Sequence, residues 1–255
     1  FQSLSMGAAV IGSGATDAAQ AASSAASTWP ALLAPRLRPG DTLGLVSPAN
    51  ATFEREPLQI AVEALQALGF KVKLGAHVRA RYGHFGGTDA QRASDINTFF
   101  ADDSVAGLIA VTGGSGCNRI IDKLDYGLIR AKPKFFGGFS DLTALVNGIQ
   151  RQTGLVTFHC PVAESEWNHF SVSHPSGERG DNLVQTQDRI STLRSGKARG
   201  RLVGGNLSVL ASLAGSAYMP DFRGSLLFLE DINEYIYRVD RLLSTLRLCG
   251  ALGQV

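Results

Sequence analysis

The feature that most constrains the fold of this chain is an alternation of short apolar runs with segments of helical spacing. Apolar residues recur at helical intervals from Glu54 to Leu68, whereas the runs on either side are short enough for strands. Three strands and two helices are predicted, in the order strand 42–46, helix 54–68, strand 71–74, helix 89–100 and strand 106–111. Strands that alternate with helices in this way predict a parallel sheet covered by helices, which is an α/β fold.

The chain changes character after this first α/β unit. Residues 164–199 are mostly polar and carry no sustained period, so a linker or an active-site loop is predicted there. A strand at 225–229 and a helix at 237–248 predict a second, smaller α/β domain. The predicted organisation is a leader at 1–38, an N-terminal domain at 39–163, the loop at 164–199 and a C-terminal domain at 200–255, which the resemblance described below implies to be partial.

The leader is predicted to lie outside the folded domains. Phe1–Ser3 looks like the scar of a cleaved purification tag, and residues 7–27 are rich in Ala, Gly and Ser. Within them, 19–21 has the small-x-small form of a signal-peptidase site. The remnant of an export signal, which would indicate the periplasm, and a flexible low-complexity tail both stay open, because the positively charged region of a complete signal is missing.

Charge and cysteine content exclude several classes of protein. The 24 basic and 22 acidic residues are scattered and leave a net charge of +2, so no basic stripe for nucleic acid is present. No apolar run reaches the roughly 20 residues of a transmembrane helix. Cys117, Cys160 and Cys249 are an odd number at wide spacing, which fits neither a disulfide framework nor a zinc site with paired ligands.

A glycine-rich turn follows the third predicted strand. It has the sequence Gly113-Gly114-Ser115-Gly116-Cys117-Asn118 and precedes a predicted helix at 118–124. In parallel sheets, ligands bind beyond the carboxyl ends of the strands, where this turn lies. Its glycines permit close approach of a substrate, and a helix start would lower the pKa of the Cys117 thiol. The turn is therefore a candidate site for a nucleophile.

Three other interpretations of the turn stay open. It could bind phosphate, although it matches neither GxxxxGK[ST] nor GxGxxG. Ser115 could be the nucleophile, but Cys117 stands where the GxSxG elbow of α/β-hydrolases has its final glycine. The turn could also be a tight structural turn that has no catalytic role.

Several blocks of the chain, in the same order, resemble the LD-carboxypeptidases, also called muramoyltetrapeptide carboxypeptidases. The blocks are 113–119 with 124–125, 136–143, 153–159, 204–208 and 229–241. The resemblance implies a serine-type peptidase with a Ser-His-Glu triad divided between two domains and with no cofactor or metal. It also implies an acyl-enzyme mechanism that removes the terminal D-alanine of muropeptide tetrapeptides in cell-wall recycling, in a cytoplasmic protein that often forms a homodimer.

Two members of the triad can be placed by the resemblance. Cys117 occupies the position matched to the family serine, and Glu230 matches the family glutamate, which orients and stabilises the histidine. Glu234 is a nearby rival for that role. The Cys117 thiol departs from the family, and a site tuned for a hydroxyl usually loses activity when sulfur replaces oxygen.

The resemblance also suggests supporting residues. Backbone N–H groups at Gly114 and Asn118 are expected to form the oxyanion hole. Ser140 and Asn206, which lie in two of the matching blocks, are expected to bind substrate.

The histidine of the triad has no match in this sequence. The family carries it in a block beyond the segment that matches Leu248, whereas this sequence stops at Val255. His159 falls in a different block and is interpreted as structural, and the other histidines match no family position: His77, His84, His169 and His174. We therefore expect a natural C-terminal segment beyond the one given, or residues missing from the polar stretch.

Three functions follow from these expectations. The first is LD-carboxypeptidase activity, impaired where Cys117 replaces serine and the histidine is absent. The second is the related peptidase activity that gives immunity to peptide-nucleotide antibiotics, for which Trp167 is a candidate to stack on adenine. The third is a muropeptide-binding protein whose triad has decayed.

Overall fold

The structure is a computed structural model that describes residues 29–165 and 191–255. Five strands form one parallel sheet in the order β2-β1-β3-β4-β5. They are β1 (Thr42–Val46), β2 (Lys71–Leu74), β3 (Gly107–Ala110), β4 (Phe135–Gly138) and β5 (Phe158–His159). The helices between them are α1 (Arg55–Ala67), α2 (Asp89–Ala101), α3 (Tyr126–Ala131) and α4 (Thr143–Thr153). The predicted parallel α/β fold is confirmed.

The sequence patterns that predicted the two long helices have clear counterparts in the structure. In α1, the apolar side chains Leu58, Ala61 and Leu65 are buried on one face, as their spacing of three and four residues requires. In α2, the Thr88 side chain accepts from the Gln91 backbone N–H, and the Gln91 side chain reaches back to the Thr88 N–H. This reciprocal capping box fixes the start of α2 where the sequence placed it.

One predicted helix is wrong. Residues 118–124 form no α-helix but two short 3-10 turns, Cys117–Arg119 and Ile121–Lys123. Ile120 interrupts the helical run with φ of −115°, and the adjacent side chains of Ile120 and Ile121 are both buried in the core. Two consecutive core positions do not suit a surface helix, whose buried residues recur every three or four positions.

A second unit contains β6 (Arg201–Asn206), α5 (Leu207–Ser212), β7 (Ser225–Glu230) and α6 (Ile236–Leu248). Its two strands pair in parallel over their whole length. The unit is held against α4 because the Asn206 N–H donates to Thr143 Oγ1 at 2.9 Å and Asn147 Nδ2 donates to the Gly204 carbonyl at 2.8 Å. These bonds bring the amino-terminal end of α4 close to the carboxyl end of β6.

Folded structure begins before the predicted start at Pro39. Leu32 pairs with Leu155 in a parallel bridge, and the guanidinium of Arg130 lies 4.0 Å from the centre of the Trp29 ring. Residues 29–38 are therefore packed on the first unit rather than belonging to a separate leader. The rest of the leader and residues 166–190 of the loop lie outside the described residues. No helix within 29–165 and 191–255 is both long and apolar enough to cross a bilayer.

Candidate active site

Two turns meet at the carboxyl edge of the large sheet. The glycine turn (residues 113–116) follows β3, and Ser140 follows β4, which is the parallel neighbour of β3. A Cβ atom added to Gly113 would lie 3.2 Å from Ser140 Oγ and 3.1 Å from Ser140 Cβ. The serine hydroxyl therefore rests directly on the backbone of the glycine turn, at the edge where parallel sheets bind ligands.

Ser140 has the backbone of a nucleophile elbow. Its φ is 61°, in the left-handed region that non-glycine residues rarely adopt, and it leads from β4 through a 3-10 turn into α4. Strain of this kind collects at active sites, and a serine on a sharp strand-to-helix turn is how α/β-hydrolases present their nucleophile. The side chain is partly exposed. Ser140 thus lies on a sharp turn between a strand and a helix, which is the geometry that the sequence predicted for residues 113–118.

Cys117 does not have the properties expected of it. Its side chain is 0% exposed, and it begins a 3-10 turn instead of an α-helix. Burial, reinforced by the nearby Asp141 carboxylate, raises the pKa of the thiol well above its usual value. The expectation of a lowered pKa is therefore wrong, while the role of Cys117 as the nucleophile stays a prediction.

Asp141 joins the two turns. Its carboxylate Oδ2 accepts from the Cys117 backbone N–H at 2.8 Å, and its side chain is only 6% exposed. Burial raises the pKa of this carboxyl, while the bond from the Cys117 N–H opposes that rise. Because Asp141 follows Ser140 directly, the bond fixes the elbow relative to the end of the glycine turn.

Arg92 holds the end of the glycine turn in place through a hydrogen bond to the Gly116 carbonyl. Its guanidinium is buried, donates to the Gly116 carbonyl at 3.0 Å and to the Pro48 carbonyl, and pairs with Asp89 at 2.6 Å. It also lies over the Phe85 ring, 4.9 Å from the centroid. A buried cation with these partners holds the carbonyl of Gly116 in place.

The two residues expected at the oxyanion hole differ in their surroundings. Gly114 has φ of 119° and is packed so closely that a Cβ atom would lie 2.1 Å from Asn50 Cγ. Asn118 is exposed, and its Nδ2 donates to Ser212 Oγ in α5 at 2.6 Å. The oxyanion-hole roles of Gly114 and Asn118 stay predictions. Gly114 directly follows Gly113, whose backbone lies against Ser140.

The second unit places Glu230 at the end of β7, opposite Asn206 in the strand register. Glu230 Oε1 is buried and has no hydrogen-bond partner among residues 29–165 and 191–255. Its negative charge raises the pKa of His159, although burial of the imidazole is the larger effect and the pKa is lowered on balance. The rival Glu234 is paired with Arg238 at 2.6 Å.

Asn206 is occupied by structural bonds. Its Oδ1 accepts from the Val209 N–H at the start of α5, and its Nδ2 donates to Asp231, each at 3.1 Å. The side chain is 7% exposed. Its expected contact with substrate stays a prediction, and the observed bonds give it a capping role.

Among the described residues, no histidine forms a hydrogen bond to Ser140. His159 packs edge-on against Phe139 and Phe228, with ring centroids 6.3 and 5.3 Å away. A different pair, which the sequence analysis missed, joins His84 Nε2 to Ser115 Oγ at 3.1 Å across the glycine turn. His169, His174 and Trp167 lie outside the described residues.

The parallel α/β fold, with two turns that meet at the carboxyl edge of the sheet, defines a class of α/β proteins that place their sites at this edge. Comparison with known proteins gives the family. The model of the LD-carboxypeptidase N-terminal domain matches residues 43–160, and that of the LD-carboxypeptidase C-terminal domain matches 199–255. The chain belongs to the LD-carboxypeptidase family, whose members are hydrolases.

Individual relatives agree with this assignment. A probable murein peptide carboxypeptidase of Bacillus subtilis is 38% identical, with 85% of this chain and 70% of that protein covered. The microcin C7 self-immunity protein MccF of Escherichia coli is 31% identical, with 88% of this chain and 76% of that protein covered. The crystal structure of an MccF-like protein from Bacillus anthracis superposes with a TM-score of 0.79 at 28% identity, covering 88% of this chain and 78% of the other.

Proposed function

We propose that this protein is an LD-carboxypeptidase that releases the terminal D-alanine from muropeptide tetrapeptides, with Ser140 as the nucleophile. The observation that carries the proposal is the left-handed backbone of Ser140 at the end of β4, with its hydroxyl against Gly113. Membership of the LD-carboxypeptidase family and the similarity to a murein peptide carboxypeptidase support the reaction class and the substrate. Cys117, which the family resemblance places at the reacting position, stays the alternative nucleophile, and the test below compares the two residues.

The reaction would proceed in two steps. A histidine base takes the proton of Ser140 Oγ as the oxygen bonds to the carbonyl carbon before the terminal D-alanine, and the negative charge moves to the carbonyl oxygen. The C–N bond then breaks, the histidine returns the proton to the leaving amine, and an acyl-serine ester remains. Water then gives a proton to the same histidine and attacks the ester carbon. The bond from that carbon to Ser140 Oγ breaks, the shortened peptide leaves with a new carboxylate, and the histidine returns the proton to Ser140 Oγ.

Two features of the site suit these steps. Backbone N–H groups of Asp141, which follows the nucleophile, and of Gly114 would stabilise the oxyanion. Glu230 would orient the histidine, since its buried Oε1 lacks a donor that an imidazole N–H could supply.

The test uses the full-length protein and a muropeptide tetrapeptide, with D-alanine release as the measurement. Ser140→Ala should lower kcat/KM at least about a thousand-fold, as expected for loss of a nucleophile. Cys117→Ala is the matched control and should stay within about ten-fold, because the backbone N–H that bonds Asp141 is retained and this mechanism gives the buried thiol no bond to substrate. Full activity of Ser140→Ala, or no D-alanine release by the wild-type protein, would refute the proposal.

The second candidate function is cleavage of an aminoacyl nucleotide, as an immunity peptidase. It is favoured by the similarity to MccF and by the superposition on an MccF-like protein. Competition between a muropeptide and an aminoacyl nucleotide analogue in the same assay separates the two by their kcat/KM values. Binding of muropeptide without turnover of either substrate would support the non-catalytic alternative.

A further inference from the structure

Asn50 lies in the loop that follows β1, at the same carboxyl edge of the sheet as the glycine turn. Strands β1 and β3 are parallel neighbours, with Val46 opposite Ala110 where both strands end. The segments that follow parallel neighbours meet at one edge of the sheet, so the loop after β1 lies beside the glycine turn that follows β3. Asn50 is partly exposed at this edge.

The backbone around Asn50 is fixed on both sides. The Ala49 carbonyl accepts from the Gly86 N–H at 2.9 Å, and the Ala51 N–H donates to the His84 carbonyl at 2.8 Å. Ala49 and Ala51 are both buried. Asn50 therefore stands between two anchored residues, and its side chain is presented from a backbone that has little freedom to move.

Asn50 contacts three consecutive residues of the glycine turn. Its backbone N–H donates to the Gly113 carbonyl at 3.2 Å, and its side-chain Oδ1 accepts from the Ser115 N–H at 3.1 Å. Between these two bonds the carboxamide lies against Gly114, where an added Cβ atom would come within 2.5 Å of Asn50 Oδ1. The absence of a side chain at Gly114 is what permits this close approach.

The side-chain bond of Asn50 decides which N–H groups of the turn stay free. Asn50 takes the Ser115 N–H, and Asp141 Oδ2 takes the Cys117 N–H at 2.8 Å. Gly114 is exposed, and its N–H forms no hydrogen bond with any residue of 29–165 or 191–255. A free N–H on a fixed backbone is the kind of preorganised donor that stabilises an oxyanion.

Direct contacts also connect Asn50 to the proposed nucleophile. Asn50 bonds the Gly113 carbonyl, and the Gly113 backbone rests on Ser140, where an added Cβ atom would lie 3.2 Å from Ser140 Oγ. If the turn lost its hold at Ser115, the Gly114 N–H could move relative to Ser140 Oγ. A displacement of this kind is costly in a reaction that depends on the alignment of donor and nucleophile.

We propose that Asn50 is a positioning residue for acyl transfer, because its side chain holds the glycine turn with the Gly114 N–H free for the oxyanion. This inference rests on the proposed function, and Asn50 acts in it through the turn instead of touching the substrate. Without Oδ1, the Ser115 N–H loses its acceptor and the space over Gly114 opens. The loss should fall on the transition state, since the bound substrate carries no oxyanion.

The experiment compares Asn50→Ala with Asn97→Ala in the full-length protein. Asn97 is the matched control, because it is also partly exposed and its Oδ1 also accepts from a backbone N–H, that of Asp125 at 2.9 Å. Asn50→Ala should lower kcat for D-alanine release about ten- to a hundred-fold and change KM less than about three-fold. It should slow phosphonylation of Ser140 by a fluorophosphonate by a similar factor, whereas Asn97→Ala should leave both rates unchanged.

The outcomes separate this inference from the proposed function. Equal kcat values for the two variants would overturn the inference alone, as would a higher KM at unchanged kcat for Asn50→Ala. A loss of activity that matches the loss of folded protein in urea denaturation would also overturn it. If the wild-type protein releases no D-alanine but is phosphonylated on Ser140, the proposed function fails and the two phosphonylation rates decide the inference. If neither reaction occurs, both fail.

Discussion

At the residue scale, Ser140 combines backbone strain with a reactive position. A non-glycine residue held in the left-handed region costs on the order of 1–3 kcal/mol. Asn233 shares this conformation, with φ of 58° against 61° for Ser140, but it lies in the exposed loop after β7. Ser140 and Asn233 therefore share the same strained backbone conformation, but only Ser140 has a proposed role in the reaction.

Glycine at these two positions should affect stability alike, but only one of the two substitutions should affect activity. Ser140→Gly and Asn233→Gly should each leave the free energy of unfolding within about 1 kcal/mol of wild type or raise it, because glycine tolerates positive φ. Only Ser140→Gly should abolish D-alanine release. Urea denaturation and the release assay measure the two effects, and equal activity of both variants would contradict a functional role for the strain at Ser140.

His159 should make stability depend on pH. Burial lowers its pKa in the folded protein below the ordinary value of 6.5. As the pH falls below 6.5, the unfolded chain binds a proton that the folded protein does not, so the free energy of unfolding falls; above that range His159 contributes no slope. His159→Gln should remove this part of the slope and retain D-alanine release. Denaturation at several pH values tests the first point, and a thousand-fold loss of release would instead identify His159 as the base.

At the element scale, the site depends on two neighbouring strands whose turns must touch. The strands β1 to β3 and the helix α2 could be predicted because their patterns and caps are local. The contact between Gly113 and Ser140 could not, since it depends on the pairing of β3 with β4. A local signal for the elbow was present in Gly138-Phe139-Ser140, after a strand and before a helix, but Leu142 stands where the usual motif ends in glycine.

The need for glycine at position 113 can be tested directly. The methyl group of Gly113→Ala would lie 3.2 Å from Ser140 Oγ, so the turn or the serine must shift. A displacement of a few tenths of an ångström at a nucleophile should lower kcat about ten- to a hundred-fold with little change in stability. Gly127→Ala in α3 is the control, because its nearest neighbour is Asp125 Oδ1 at 3.4 Å. Equal kcat values for the two variants would show that the contact is unimportant.

At the scale of the whole molecule, the proposed mechanism takes different groups from the two units. The first would supply Ser140 and the glycine turn, and the second would supply Glu230 at the end of β7. Sequence patterns predicted two units, but the bonds that join them, such as Asn147 to Gly204, leave no periodic signal. Apart from residues 29–38, which pack on the first unit, the domain boundaries stay predictions, as do homodimer formation and the compartment.

The link between the units should depend on Asn147. This buried side chain donates to the carbonyls of Thr143 and Gly204, both at 2.8 Å. Asn147→Ala should lower the free energy of unfolding by about 1–3 kcal/mol, because the Gly204 carbonyl loses its donor. Gln152→Ala is the control on the same helix, since Gln152 reaches Ala217 by an exposed bond and should cost less than about 1 kcal/mol. Equal losses in urea denaturation would contradict a special role for Asn147.

The central claim is that Ser140, and not Cys117, is the nucleophile, and covalent labelling tests it most directly. The full-length protein would be treated with a fluorophosphonate, which reacts with activated serines, and the modified peptide would be mapped by mass spectrometry. The strained and partly exposed elbow predicts a single phosphonate on Ser140, with the buried Cys117 unmodified. A phosphonate on Ser115 or Cys117, or none on Ser140, would contradict the claim.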